Sequence, residues 1–210
     1  MRNQTNFNAI APVYDQLCQM VFGKTHRYVQ IGLLQYIKPN SKVLIVGGGT
    51  GWVLEEISKQ QPTSLEITYI EKSIRMLAIS QKRDAAQNRV IYINEPMENC
   101  HLASQNYDVV FTPFLFDCFT EASLQQAFLQ LGACLKPNGL WLYADFKVTQ
   151  GRAWWQKTIL SLMYLFFRVV SRVDARTLVP VSVYFTPYKL VAEQQFVRGF
   201  IVGQVYQKPI

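Results

Sequence analysis

The chain has 210 residues, half of them hydrophobic and 17% charged, which suits one domain with a substantial core and room for an added subdomain or lid. Its net charge is +7, yet the basic residues stand singly or in pairs rather than as a basic arm, which argues against nucleic-acid binding. Four cysteines without a C-x-x-C pair, and no histidine at metal spacing from them, argue against a zinc site or a disulfide scaffold and for free thiols in a reducing cytoplasm.

The N-terminus is polar and lacks the apolar stretch of a signal peptide, so a cytoplasmic location is expected. Residues 1–40 read as helical. Phe7, Ile10, Ala11, Tyr14, Leu17 and Cys18 recur at three- and four-residue spacing, with Pro12 in the first turn or interrupting the helix. A second amphipathic helix is expected over Arg27–Ile37, ending at Pro39-Asn40. The β-branched run Lys42–Val46 predicts the first strand. It leads into Gly47-Gly48-Gly49-Thr50-Gly51 and then a helix to about Gln60, before Pro62.

Leu65–Ile70 predicts the second strand, followed by Glu71. Ser73 reads as the N-cap of a helix from Ile74 to about Ala86. Arg89–Ile93 predicts the third strand and Asp108–Phe111 the fourth, the latter entered from the turn-forming Ser104-Gln105-Asn106. A helix over Glu121–Leu135 is broken by Lys136-Pro137-Asn138-Gly139, and Leu140–Ala144 is the fifth strand. Strands alternating with helices of this length imply βαβ units and a parallel sheet.

The last third is different. Residues 153–173 are dominated by large apolar side chains, but Lys157 and Arg168 leave only ten uncharged residues between them, short of the about 20 needed to span a bilayer. A buried or interfacial helix is expected, serving as a lid, a peripheral membrane contact or a homodimer surface. Val181–Phe185 and Phe200–Tyr206 have strand-like composition. The second is expected to be the final strand, with Gly199 and Gly203 at turn or bulge positions. With no repeat or linker, residues 1–210 form one domain: a helical lid over 1–40, a cofactor-binding core over 41–146, and a hydrophobic helix with C-terminal strands over 147–210.

A strand, a glycine-rich turn and a helix form a nucleotide site, because glycine lets the backbone turn tightly and approach a ligand. Gly47, Gly49 and Gly51 give G-x-G-x-G. The dinucleotide fingerprint G-x-G-x-x-G fails, since its third glycine would fall on Trp52 or Leu54, and no lysine followed by Ser or Thr completes a P-loop. A nicotinamide-dependent reductase is therefore opposed by the spacing. Glu71, 20 residues after Gly51, stands where an acid accepts hydrogen bonds from ribose hydroxyls. Glu95, in Asn94-Glu95-Pro96-Met97-Glu98, is placed to accept from an adenine amine, with Met97 beside the ring and Glu98 as the rival acid. After the fourth strand, Thr112-Pro113-Phe114-Leu115-Phe116-Asp117 lies at the ligand-binding edge and suits an apolar substrate. Asp117 reads either as a helix N-cap or as a catalytic acid or base.

Together these features resemble the class I S-adenosylmethionine-dependent methyltransferases. That family carries V-L-D-x-G-x-G-x-G, an acid ending the second strand, an acid after the third, and L-K-P-G-G before the fifth. The chain has Val43 to Gly51, Glu71, Glu95 and Leu135-Lys136-Pro137-Asn138-Gly139. The opening Phe7-Asn8-Ala9-Ile10-Ala11-Pro12-Val13-Tyr14-Asp15 looks like the F-x-x-I-A-x-x-Y-D start of the ubiquinone/menaquinone-biosynthesis methyltransferases, so the resemblance covers residues 7–146. It implies a Rossmann-like, doubly wound α/β fold: a mostly parallel seven-stranded sheet with helices on both faces and an N-terminal helical lid.

The implied cofactor is S-adenosylmethionine, held by Tyr14, Gly47, Gly48, Gly49, Thr50, Gly51, Glu71, Lys72, Glu95, Pro96, Met97, Thr112 and Phe114. Ile45 departs from the pattern, because the family has an acid there and Ile45 cannot accept a hydrogen bond. Methyl transfer from a sulfonium releases a neutral thioether, so alignment and water exclusion matter more than a triad, and none is present. A base is needed only if the acceptor must lose a proton, and His26 and Asp117 are the candidates. The expected activity is methyl transfer to a small, largely apolar acceptor. The alternative, favoured by Ile45, is a non-catalytic methyltransferase-fold protein that binds a cofactor or partner.

Overall fold

In the computed structural model the described residues are 7–61, 63–148, 154–156, 158–161 and 179–210. The helices of the domain are α1 (Tyr14–Phe22), α2 (Thr25–Leu34), α3 (Trp52–Gln60), α4 (Ile74–Ser80) and α5 (Glu121–Cys134). The strands are β1 (Lys42–Val46), β2 (Glu66–Ile70), β3 (Arg89–Ile93), β4 (Tyr107–Pro113), β5 (Leu135–Phe146), β6 (Lys189–Phe196) and β7 (Ile201–Gln207). They form one seven-stranded sheet in the order β3-β2-β1-β4-β5-β7-β6. The first five run parallel, and β7 is antiparallel to both its neighbours.

Side-chain alternation along β1 sorts the two layers. Val43 and Ile45 enter a core with α2 and α3, whereas Leu44 and Val46 enter the opposite core with α5. A run of apolar residues without polar alternation is what a strand covered on both faces requires. The second core is dense in rings. Phe128 stacks on Trp141 at 4.5 Å, and Phe185 stacks on Tyr206 at 3.8 Å.

The glycine turn is closed to side chains by what lies against it. A Cβ at Gly48 would sit 2.5 Å from the Tyr69 ring. Gly51 takes φ 76° as it starts α3, and a Cβ there would lie 2.7 Å from the Ser80 backbone.

Several sequence expectations needed correction. Val181–Phe185 is not a strand: Val181–Val183 is a 3-10 turn that tucks Val181 and Phe185 into the second core. The helix after Ser73, expected to reach Ala86, ends at Ser80. Beyond it the chain turns so that Arg83 can reach the glycine turn and Asp84 can accept from the Ala86 amide at 2.8 Å. β4 continues through Thr112 and Pro113, and β5 starts at Leu135, because its Lys136–Gly139 stretch is a register shift against β4. Gly203 is no bulge. It pairs in register with Ala144 and Gln194 and lies close to Val29 of α2. β6 had not been expected, since as an exposed edge strand it lacks a buried face to set a pattern.

Ser73 caps α4, as expected, by accepting from the Met76 amide at 3.2 Å. The expected lid, membrane or dimer segment over 153–173 lies mostly outside the described residues. Within it, 154–156 and 158–161 are helical, and Trp155 contacts Phe200. Among the described residues no helix is long and apolar enough to cross a membrane.

Gly51→Ala should destabilise the fold by on the order of 3 kcal/mol, through the left-handed backbone and the clash with α4 combined. Urea unfolding measures this, and a loss near zero would show that the turn relaxes freely.

Candidate functional site

The C-terminal ends of β1, β2, β3 and β4 open into one cleft, at the point where the strand order reverses between β1 and β4. The cleft encloses about 980 Å³, its solvent-facing mouth included. Gly47 and Gly49 form one side, Glu71 and Lys72 the floor, and Glu95, Met97 and Glu98 the far end. Phe114, Leu115, Asp117, Cys118 and Phe119 follow β4, and Phe146 ends β5. Phe7, Tyr14, Cys18, Phe22 and His26, all from the N-terminal segment, complete the wall.

Glu71 is buried, and its carboxylate is anchored by backbone amides. Gly49 N–H donates to Oε2 at 3.0 Å and Ser73 N–H to Oε1 at 2.8 Å. Burial raises its pKa, while those N–H groups and Lys72 oppose the rise. Asn94 holds the backbone beneath it, donating to the carbonyls of Glu71 and Lys72 at 2.8 and 3.1 Å.

The N-terminal segment is tied to the glycine turn by a polar knot. Thr50 Oγ1 donates to Asp15 Oδ1 at 2.6 Å, and Arg83 Nη2 donates to Asp15 Oδ2 at 2.9 Å. Arg83 Nε also donates to the Thr50 carbonyl at 3.1 Å, and its Nη1 pairs with Glu55 at 3.3 Å. Tyr14, the residue before Asp15, is thereby held at the cleft. Burial pushes its phenol pKa well up, so it stays a neutral donor, hydrogen-bonded with Cys18.

His26 is neutral: burial, the largest cause, lowers its pKa to about 4 against the opposing pull of Asp15. Its ring lies between Trp52 and Phe114, with centroids 5.8 and 5.2 Å away. Phe114 adopts φ 48°, a left-handed conformation uncommon for such a side chain, at the cleft wall.

Asp117 is not the cap of a following helix. It sits inside the 3-10 turn Phe116–Cys118, and Thr120 caps α5 by accepting from Ser123 N–H. Burial raises its pKa to about 7, against hydrogen bonds from Cys118 and backbone amides that lower it. Asp145, fully buried at the end of β5, is pushed up by burial and then by the nearby Asp117 charge. It accepts from Phe116 N–H at 3.2 Å and Phe146 N–H at 2.8 Å.

The cleft therefore brings together Tyr14, Gly47, Gly49, Glu71, Lys72, Glu95, Met97, Phe114, His26 and Asp117. Gly48, Thr50, Gly51 and Pro96 do not line it. Gly48 packs on Tyr69, Thr50 serves the knot, Gly51 starts α3, and Pro96 precedes the 3-10 turn Met97–Asn99. Thr112 is turned away, its hydroxyl accepting from Trp141 Nε1 at 3.0 Å inside the second core. Both Glu95 and Glu98 reach the cleft, so neither acid excludes the other. Sequence reasoning missed Phe22, Cys18, Cys118, Phe119 and Phe146. Their only signal was aromatic or apolar character, which they share with the core. Among the described residues no cluster of ligating side chains could hold a metal. Ile45 is fully buried in the α2–α3 core, so the family's acid position is apolar here.

Residues 43–139 match the methyltransferase-domain family. The chain is 31% identical over 144 residues to a malonyl-[acyl-carrier protein] O-methyltransferase of Bacillus cereus, covering 68% of this chain and 52% of the relative. It is 30% identical over 149 residues to the ubiquinone/menaquinone biosynthesis C-methyltransferase UbiE of Geotalea daltonii, covering 68% of this chain and 62% of the relative. The chain thus spans roughly half to three-fifths of the length of these two relatives. Its fold is similar to a putative methyltransferase solved with the Haloferax volcanii Trm112 activator, with TM-score 0.72, 11% identity and 99% of each chain covered. It is also similar to the N-methyltransferase NodS of Bradyrhizobium japonicum in complex with S-adenosylhomocysteine, with TM-score 0.64, 12% identity, and 90% of this chain and 88% of the other covered.

The fold and its glycine turn are those of a Rossmann-like methyltransferase domain. Residues 43–139 match a methyltransferase domain, and the chain is similar to class I S-adenosylmethionine-dependent methyltransferases, their ubiquinone/menaquinone-biosynthesis group among them.

The raised Asp117 pKa sets a sign. Between the ordinary carboxylate range and about 7, the folded chain holds a proton that the unfolded chain has released. Stability from this group is therefore full at low pH and falls as pH rises through that window. Asp117→Asn removes the loss, so its melting temperature relative to the parent should climb from about pH 4 to about pH 7 and level off above it. Parallel curves would refute the shift.

Proposed function

We propose that the chain is an S-adenosylmethionine-dependent methyltransferase acting on a small, largely apolar acceptor. The observation that carries this is the Glu71 carboxylate, buried at the cleft floor beside the glycine turn, with one lone pair of each oxygen engaged by a backbone N–H. A carboxylate has about four acceptor sites, so two remain for the paired hydroxyls of a ribose. Glu95 or Glu98, with Met97, would take the adenine, and Tyr14, backed by the Asp15 knot, would close over the methionine end. Gly47 and Gly49 leave that end unobstructed.

When bound, the cofactor supplies an activated methyl group. The chain's own part is to hold the acceptor in line and exclude water, which the rings of Phe22, Phe114, Phe119 and Phe146 are suited to do. Those rings also support an apolar acceptor. With Ile45 buried among apolar side chains, the cofactor's amino group must be met by backbone carbonyls or by another acid. That feature also favours the second reading, a methyltransferase-fold protein that binds without catalysis.

S-adenosylhomocysteine at saturation should raise the melting temperature, by linkage, and Glu71→Ala should remove most of that rise. No response in the folded parent protein would refute cofactor binding. A response without methyl transfer to a panel of apolar acceptors would favour the second reading.

A further inference from the structure

The bend between α1 and α2 has two sides. On one, Phe22 and His26 face the cleft, with Cys18 and Tyr14 one and two turns before Phe22. On the other, Met20 is 77% exposed, Val21 53% and Tyr28 54%. Single exposed apolar side chains are ordinary, but three large ones within nine residues mark a contact surface. Gly23 makes the bend at φ 59°, and a Cβ there would meet nothing within 4 Å, so the bend projects into open space. Met20 and Val21 lie in the last turn of α1. Lys24, Arg27 and Tyr28, spaced three and four apart, share one exposed face at the start of α2. The charge there is one-sided. No acid occurs between Asp15 and Glu55, and both of those are bound to Arg83. Lys24 and Arg27 enter no salt bridge among the described residues, and Arg27 rests over the Trp52 ring at 4.6 Å.

We infer that this bend docks on an anionic lipid bilayer, with Met20 and Val21 entering the boundary between headgroups and acyl chains, Lys24 and Arg27 meeting lipid phosphates, and Tyr28 lying at the interface. The composition separates this occupant from the others. A second copy joined symmetrically through the bend would bring four cations together with no acid to receive them. An acidic protein would answer the cations but not the aliphatic tip. A bilayer carrying anionic lipid answers both. With so few anchoring side chains the attachment is reversible. The contact falls on helices that the sequence suggests as a lid, and it needs nothing from residues 153–173. It rests on the apolar-acceptor reading for its purpose only. With the bend among the headgroups, Phe22 and His26 set the cleft rim at the lipid surface, where an apolar acceptor is concentrated.

Co-sedimentation of the full chain with phosphatidylcholine vesicles, with and without about 30% phosphatidylglycerol, tests this. At low salt the anionic vesicles should bind at least about tenfold more tightly than the neutral ones. Lys24→Glu/Arg27→Glu and Met20→Ser/Val21→Ser should each weaken that binding about tenfold or more. Arg89→Glu/Lys189→Glu carries the same change in net charge as the first pair. The strand register puts both of its residues at the end of the sheet away from the cleft, so it should cost less than about threefold. Should Arg27→Glu disturb Trp52 and the fold, Lys24→Glu alone and the Met20/Val21 pair carry the comparison. Equal losses in the tip and control charge variants would assign the binding to net charge and overturn the proposal. So would tip variants that bind like the parent, or a parent that ignores anionic vesicles. A dimer lost in Met20→Ser/Val21→Ser, or tip cations that bind poly-L-glutamate but not vesicles, would give the surface to a second copy or to an acidic protein instead. Vesicle binding is measured without cofactor, so a missing response to S-adenosylhomocysteine would remove the methyltransferase reading and leave the docking result to stand or fall by itself.

Discussion

The cleft is organised around one buried carboxylate. Glu71 joins the glycine turn to the start of α4, because its two oxygens accept from the amides of Gly49 and Ser73. Desolvation of that charge is unfavourable, and fixed backbone dipoles offset it. The same bonds set where the turn lies relative to β2, and Tyr69, donating to the Gly49 carbonyl at 3.0 Å, sets it a second time. A turn held at two points on a rigid sheet is a pre-organised surface, which lowers the ordering cost of binding a ligand there.

The N-terminal segment adds the other wall: α2 packs on the sheet, and the start of α1 is tied to the glycine turn by charge. Asp15 bridges Thr50 and Arg83, and Arg83 reaches the Thr50 carbonyl and Glu55 as well. These side chains are partly exposed, so each pair alone is modest, and the shared geometry is what gives the knot specificity. Its effect is to place Tyr14 against the glycine turn and Phe22 and His26 opposite the residues that follow β4. The cleft therefore has a polar end at Glu71 and a largely apolar end around Asp117, divided between two separately anchored pieces of chain.

Local chemistry made much of this legible in the sequence. The strand bounds at Lys42–Val46 and Arg89–Ile93, the capping role of Ser73, and Glu71 beside the turn all follow from patterns that neighbouring residues determine among themselves. Other residues were illegible because distant partners decide them. Arg83 reads as a surface cation, and only the fold carries it to Asp15, 68 positions away in sequence. Thr112 reads as a ligand at a strand end, yet Trp141 on the adjacent strand claims its hydroxyl. Asp117 reads first as a cap, and the cap went to Thr120.

The sequence by itself determined the class of fold, the glycine turn and the acid at its floor. These depend on periodicity, on backbone freedom and on short spacings that no remote contact can alter. Only the tertiary structure decided which apolar side chains leave the core to line the cleft and which polar groups are spent on scaffolding. Such outcomes depend on which side chains compete for the same partner, and that competition exists only once the strands and helices are packed together.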